Sequence, residues 1–197
     1  MEKLKPLSWI KDVDPDVLAK MLPHKIDINY QRPSMLDIFA MEAIIWGQRS
    51  TCLFNEVGAV IFQQRRTLST AYNGPAKGDV DPRDAGCARI IGGKLHEGGG
   101  HCRGTHAEMN AVSNLTISIS NLEDVCMMVT LSPCYSCAKQ LSNTSIKKIY
   151  YIWEYGRDPK AVQYLKDSNI ELIKHTFPYL ENFLALTGFT PPPKKHH

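Results

Sequence analysis

The sequence predicts an α/β fold of three layers, a five-stranded mixed sheet with helices on both faces, and three observations carry that prediction. From residue 34 onward, apolar runs of strand length alternate with segments whose apolar residues recur at three and four. Apolar residues make up 43% of the 197-residue chain and charged residues 22%. That balance belongs to a globular domain and excludes a disordered, collagen-like or coiled-coil chain. No apolar run approaches the roughly 18 residues of a membrane span, and Met1–Pro6 lacks the apolar core of a signal peptide. A soluble, cytoplasmic protein with no membrane partner is expected.

Residues 1–33 read as an N-terminal extension, punctuated by Pro6, Pro15, Pro23 and Pro33, with a short helix after Asp14-Pro15. Its apolar residues are expected to pack on the domain or on a partner subunit. A single domain is expected over 34–190 and a tail over 191–197. The first long helix opens at Ser34, whose hydroxyl suits the orphan amide at N3, while Asp37 can reach back in a capping-box pattern. Leu36, Phe39, Ala40, Ala43, Ile44 and Gly47 then form its apolar stripe. Residues 57–62 read as a strand and residues 67–72 as its antiparallel neighbour, ended by the turn Asn73-Gly74-Pro75. Residues 75–105 carry Gly, Asp, Arg and Cys with little periodicity, and a loop of that length needs a function or a staple. Thr105 is expected to cap a helix carrying His106, Glu108, Ala111 and Val112. A buried strand over 126–131 leads into a helix over 134–141, with Pro133 in its first turn. A strand over 148–153, a helix over 160–166, a strand over 170–174 and a helix over 179–186 complete the order.

The net charge of +3, from 23 basic and 20 acidic residues, offers no basic track for nucleic acid. Six cysteines in a chain without a secretion signal point to metal thiolates or buried thiols rather than disulfides. Cys134 and Cys137, one turn apart at a helix start, can face a single ion, and His106 supplies a nitrogen. A His-Cys-Cys set leaves a fourth zinc position to water, whose pKa the metal lowers toward 7. Glu108, two residues beyond His106, can take the water's proton and pass it to a ring nitrogen and then to a departing amine. Hydroxide attack at C4 of an aminopyrimidine with loss of ammonia is the chemistry this set predicts. His-x-Glu with Pro-Cys-x-x-Cys is the zinc-deaminase signature.

Arg49-Ser50-Thr51-Cys52, Val57-Gly58-Ala59-Val60-Ile61, Tyr72-Asn73-Gly74-Pro75, Gly86-Cys87 and the run from Cys102 to Ala111 make the likeness more specific. From about residue 33 to 175 the chain resembles the deoxycytidylate (dCMP) deaminases of the cytidine deaminase-like superfamily, in particular bacterial and phage types. The resemblance implies conversion of dCMP to dUMP and ammonia. It also implies Asn73 on the deoxyribose, the backbone around Thr105 and Ala107 on the pyrimidine edge, and Tyr155 near the substrate. It further implies a homo-oligomer, often a hexamer, with dCTP and dTTP as effectors and Mg2+ accompanying the triphosphate.

A monophosphate also needs positive charge. Arg103 stands beside the catalytic helix, and Arg49, Arg65, Arg66 and Arg89 are the other candidates. Cys52, Cys87 and Cys102 remain once the catalytic ion is assigned, and with a histidine they would make a closed structural zinc site that staples the long loop. His96 and His101 compete for that place, and His96 is geometrically easier because His101 adjoins Cys102. The resemblance points to the same second zinc. Cys126, in an apolar strand, is expected in the core. Rival substrates are dCTP, CMP, a 5-modified dCMP or another amino-heterocycle, and more remotely a tRNA. Apolar residues at both ends, among them Trp9, Ile10, Leu18, Phe177, Phe183 and Phe189, suggest burial between subunits.

Overall fold

The computed structural model describes residues 8–22, 32–96, 99–120, 122–156 and 159–191. The chain forms two compact units, Met1–Ser34 and Met35–His197. In the first unit a 3-10 turn, Ser8–Asp12, precedes one helical turn, Pro15–Leu18. Asp14 accepts the Asp16 amide at 2.8 Å and Pro15 occupies the first helical position, which is the short helix expected there. Pro6, Pro23, the Trp9 side chain and residues 192–197 of the expected tail lie outside the described residues.

The second unit is built on five strands: β1 (Gly58–Gln63), β2 (Arg66–Tyr72), β3 (Val125–Leu131), β4 (Lys148–Trp153) and β5 (Glu171–Lys174). Their order is β2-β1-β3-β4-β5. The β2/β1 and β1/β3 pairs are antiparallel, while β3, β4 and β5 run parallel. Its main helices are α1 (Met35–Gly47), α2 (Ala107–Ser113), α3 (Tyr135–Leu141), α4 (Pro159–Asp167) and α5 (Leu180–Thr187).

The apolar runs are continuous because both faces of the sheet are covered. Ala59, Ile61, Met127, Val129 and Ile149 point into one core, where α2, α3 and α4 contribute Ala107, Ala111, Ala138, Leu141, Ala161 and Leu165. Val60, Phe62, Met128 and Ile152 point the other way, against Phe39, Ala40, Ala43 and Ile44 of α1. This alternation by one residue places three helices on one face and two on the other, the three-layer arrangement expected.

That second core also takes Phe177 and Phe189, which are 5% and 4% exposed, with Tyr179, Phe183 and Leu184 of the α5 region packed around them. Phe177 and Phe189 thus find cover on the sheet's own second face, while Tyr179, Phe183 and Leu184 are partly buried there. Cys126 is half-buried against the same core, as expected, and burial pushes its thiol pKa up.

Two glycines set the spacing of α1 from the sheet. A Cβ on Gly58 would lie 1.9 Å from the Ala43 carbonyl oxygen, and one on Gly47 would lie 2.7 Å from the Phe189 ring. The Gly58 amide donates to Oγ1 of the fully buried Thr130 at 3.1 Å. At its first turn, α1 is tied to the segment after β5: His175 Nε2 lies 2.9 Å from Asp37 Oδ1, and both side chains are largely buried.

The long segment between β2 and α2 is held by pairing and charge. Gly74–Pro75 pairs with Gly104–Thr105, and Ile90–Ile91 with Lys94–Leu95. Asp81 caps the helical turn Pro82–Ala85, and Arg103 Nε donates to Asp79 Oδ2 at 3.0 Å. Among the described residues, no helix is long and apolar enough to cross a membrane.

Candidate functional site

Parallel strands carry their loops to the carboxyl edge of the sheet, where crossovers open a crevice. Here β3 ends at Leu131 and β4 at Trp153. The Ser132 amide donates to the Trp153 carbonyl at 2.9 Å, and the Tyr155 amide donates to Ser132 Oγ at 2.7 Å. These two bonds lock the chain that leads into Cys134 to the chain that carries Tyr155.

His106 and Cys134 are the N-cap residues of α2 and α3, each with extended backbone and neither with a side-chain capping bond. Both expected caps shift by one residue. Thr105 is held in its two-residue strand opposite Gly74, so α2 cannot begin before His106. Pro133 precedes the cap of α3 instead of lying in its first turn. A cap residue normally spends its side chain on the helix's orphan amides. At these two positions the side chains face each other instead.

His106 Nδ1 lies 3.4 Å from Cys134 Sγ and 3.3 Å from Cys137 Sγ. The three donor atoms all lie within 4.8 Å of one another. A tetrahedral zinc with bonds near 2.05 Å to nitrogen and 2.3 Å to sulfur sets those ligands about 3.5 Å apart. The donor set fits a zinc ion.

Its electrostatics fit as well. The Cys137 and His106 side chains hydrogen-bonded to Cys134 hold its thiol down at about 4. In return, the hydrogen bond to Cys134 raises the His106 imidazole to about 9. Cys137 is pushed up by its hydrogen bond to Cys134, by burial and by the nearby Glu108 carboxylate. Two thiolates this close, beside a carboxylate, call for a cation between them. Glu108, in the first turn of α2, is 4% exposed and hydrogen-bonded to Cys137. Burial raises its carboxyl pKa above the usual range, against the lowering pull of His106.

His106, Cys134 and Glu108 form one wall of a cavity, with Cys137 buried outside its lining, and the cavity is also lined by Asn73, Thr105, Ala107, Arg103 and Tyr155, all expected near the substrate. Asn73 is already engaged. Its Oδ1 accepts the Val57 amide at 2.9 Å and its Nδ2 donates to the Asn55 carbonyl at 3.0 Å. Asn55 and Val57 thus line the cavity as well, a placement that no local pattern around them announces.

Of the arginine candidates, Arg65 and Arg66 lie at the hairpin joining β1 to β2 and take no part in the cavity lining. Arg49 stacks over Tyr72 at 5.9 Å and is likewise outside it. Arg89 and Arg103 line the cavity. Cys52, Cys87 and Cys102 share the cavity wall, yet among the described residues the one group of three ligands within reach of a common ion is His106, Cys134 and Cys137. His96 packs edge-on against His101, ring centroids 5.8 Å apart.

Comparison with known proteins agrees with this geometry. The family model described as the cytidine and deoxycytidylate deaminase zinc-binding region matches residues 37–153. The chain is 32% identical over 142 residues to ComE operon protein 2 of Bacillus subtilis, covering 66% of this chain and 71% of that one. It is 30% identical over 163 residues to the deoxycytidylate deaminase of Enterobacteria phage T4, covering 66% and 84%. The matched region spans about half the length of the two yeast deoxycytidylate deaminases it also resembles, 46% and 47%. The crystal structure of dCMP deaminase from cyanophage S-TIM5 in complex with dCMP and dUMP is similar at a TM-score of 0.60 and 25% identity, covering 74% of this chain and 99% of that one.

Proposed function

Because the chain belongs to the cytidine and deoxycytidylate deaminase zinc-binding family, we propose that it hydrolyses dCMP to dUMP and ammonia at the His106–Cys134–Cys137 centre. The observation that carries the reading is Glu108, a buried carboxyl hydrogen-bonded to a ligand thiol in the wall of the cavity. Zinc held by the triad would supply a water acidic enough to attack at neutral pH. Glu108 would take one proton from the attacking water and deliver it to ring N3, then take the hydroxyl proton of the C4 adduct and pass it to the amine, which leaves as ammonia. A carboxyl whose pKa is raised by burial holds a proton between those transfers more readily than an exposed one. The backbone at Thr105 and Ala107 borders the ring, Asn73 uses its remaining donor and acceptor capacity on the sugar, and Tyr155 closes the far side.

The similar cyanophage enzyme holding dCMP and dUMP supports this substrate class over a polynucleotide. The test is ammonia release from the zinc-loaded protein with dCMP, CMP, dCTP, deoxycytidine, 5-methyl-dCMP and tRNA, with Glu108→Gln as the blank. Turnover of dCMP far above the others is the expected result. Silence on dCMP, with and without dCTP, overturns the proposal.

The same proposal extends to a homo-oligomer and to dCTP and dTTP as effectors, with Mg2+ on the triphosphate. Exposed Ile38, Ile45 and Trp46 on α1 support a subunit contact. A sigmoidal dCMP curve straightened by dCTP and Mg2+, together with a light-scattering mass above the 22.2 kDa chain, is expected. A second, structural zinc on Cys52, Cys87, Cys102 and a histidine rests on the three thiols sharing one wall. Two zinc equivalents per chain, falling to one in Cys87→Ser, would uphold it, and a single equivalent would remove it.

A further inference from the structure

A nucleotide differs from its nucleoside by a phosphate dianion, and a pocket that discriminates between them needs donors not already spent on a carboxylate. Two arginines line the cavity, and they are in opposite states. Arg103 is exposed, and its Nε and Nη2 both bond the Asp79 carboxylate. A closed ion pair of this kind carries almost no net charge toward a ligand.

Arg89 is half-buried and, among the described residues, has no carboxylate partner. Its Nε donates to the His96 carbonyl at 3.1 Å, and its own carbonyl accepts the His96 amide at 2.8 Å. The guanidinium also lies over the Phe54 ring, 5.4 Å from the centroid. These contacts orient the planar group and use one of its five donors, so the two terminal nitrogens stay available. The segment that carries it, Cys87-Ala88-Arg89, forms part of the cavity lining.

We propose that Arg89, not Arg103, anchors the 5′-phosphate and sets the preference for a nucleotide over a nucleoside, a reading that rests on the deaminase function above. Arg103 is then a positioning residue, which ties the segment entering α2 to the Asp79 loop.

The test compares zinc-loaded wild type, Arg89→Gln, Arg89→Lys and Arg103→Gln by the ratio of kcat/KM for dCMP to that for deoxycytidine. Zinc content and melting temperature are recorded for each variant. Arg89→Gln is expected to lower the ratio about 10- to 100-fold through the KM for dCMP, the scale of a lost charge-assisted hydrogen bond. Arg89→Lys keeps the charge without the fork and should fall between Arg89→Gln and wild type. Arg103→Gln should keep the ratio within about threefold, since its charge is already paired.

An unchanged ratio in Arg89→Gln, or a collapse in Arg103→Gln alone, overturns the assignment. If Arg89→Gln loses zinc or melts early, Arg89→Lys decides, and an unchanged ratio there overturns it too. If wild type is silent on dCMP, the deaminase reading fails and calorimetry with inorganic phosphate decides Arg89 separately. Binding by wild type that is lost in Arg89→Gln upholds the anchor, whereas equal binding, or none by wild type, overturns it.

Discussion

Glu108 is a carboxyl set where ionisation is costly, 4% exposed and bonded to the Cys137 thiol. Its raised pKa suits a relay, so Glu108→Gln should lower kcat by about 10²- to 10⁴-fold. Zinc content should stay at the wild-type level, and loss of zinc in this variant would recast Glu108 as structural. The ligands make a second prediction. Without metal, Cys134 is a thiolate above about pH 4, while His106 keeps its proton up to about pH 9 and Cys137 holds its own higher still. Zinc must displace the protons on His106 and Cys137, so its apparent affinity should rise with pH from 6 toward 9. A pH-stat titration at pH 7 should record about two protons released per zinc bound, and release of none would contradict the assignment of protons. Ser132 offers a third case. Ser132→Ala leaves the Tyr155 amide without its acceptor and should lower kcat/KM about tenfold, with Ser132→Thr restoring it. Equal losses in both variants would point to packing instead.

At the scale of elements, the start of β1 and the end of α1 are joined with no room to spare. A methyl at Gly58 would stand 1.9 Å from the Ala43 carbonyl oxygen, an atom the helix cannot swing away. Gly58→Ala should therefore destabilise the fold by about 3 kcal/mol, read as a lower midpoint in denaturant melts. A shift under about 0.5 kcal/mol would mean that α1 can slide. The helices α2 and α3 obey another constraint. Each is seven residues long and opens on a cap that spends nothing on its own amides. Such helices are weak alone. Their apolar faces, Ala107 and Ala111 in one and Ala138 and Leu141 in the other, hold them on the sheet so that the caps are free to hold metal.

Among the described residues, the main unit carries its stability in two cores, one on each face of the sheet, and neither is built around the metal. Chelation should accordingly abolish activity and lower the melting temperature by several degrees while leaving the far-ultraviolet dichroism nearly unchanged. Loss of the helical signal on chelation would show that the ion is needed for folding itself. The carboxyl edge of β3 and β4 gathers what lies far apart in the chain: Asn73 after β2, His106 opening α2, Cys134 opening α3 and Tyr155 after β4.

Read alone, the sequence determined the elements of the main unit nearly to their ends, the three zinc ligands and the glutamate, and the family they imply. The reason is local: a helix-start Cys-x-x-Cys and a His-x-Glu must stand at short fixed spacings to meet one ion, and apolar periods report which residues face inward. Tertiary structure alone decided that Arg103 is paired with a carboxylate, because the Arg103–Asp79 pair closes across a loop that no periodicity describes. It also decided that Asn73 holds Asn55 and Val57, and that Phe177 and Phe189 find cover on the second face of the sheet. Such facts depend on which distant groups meet, and charge pairing and burial at long range leave no mark in the order of neighbours along the chain.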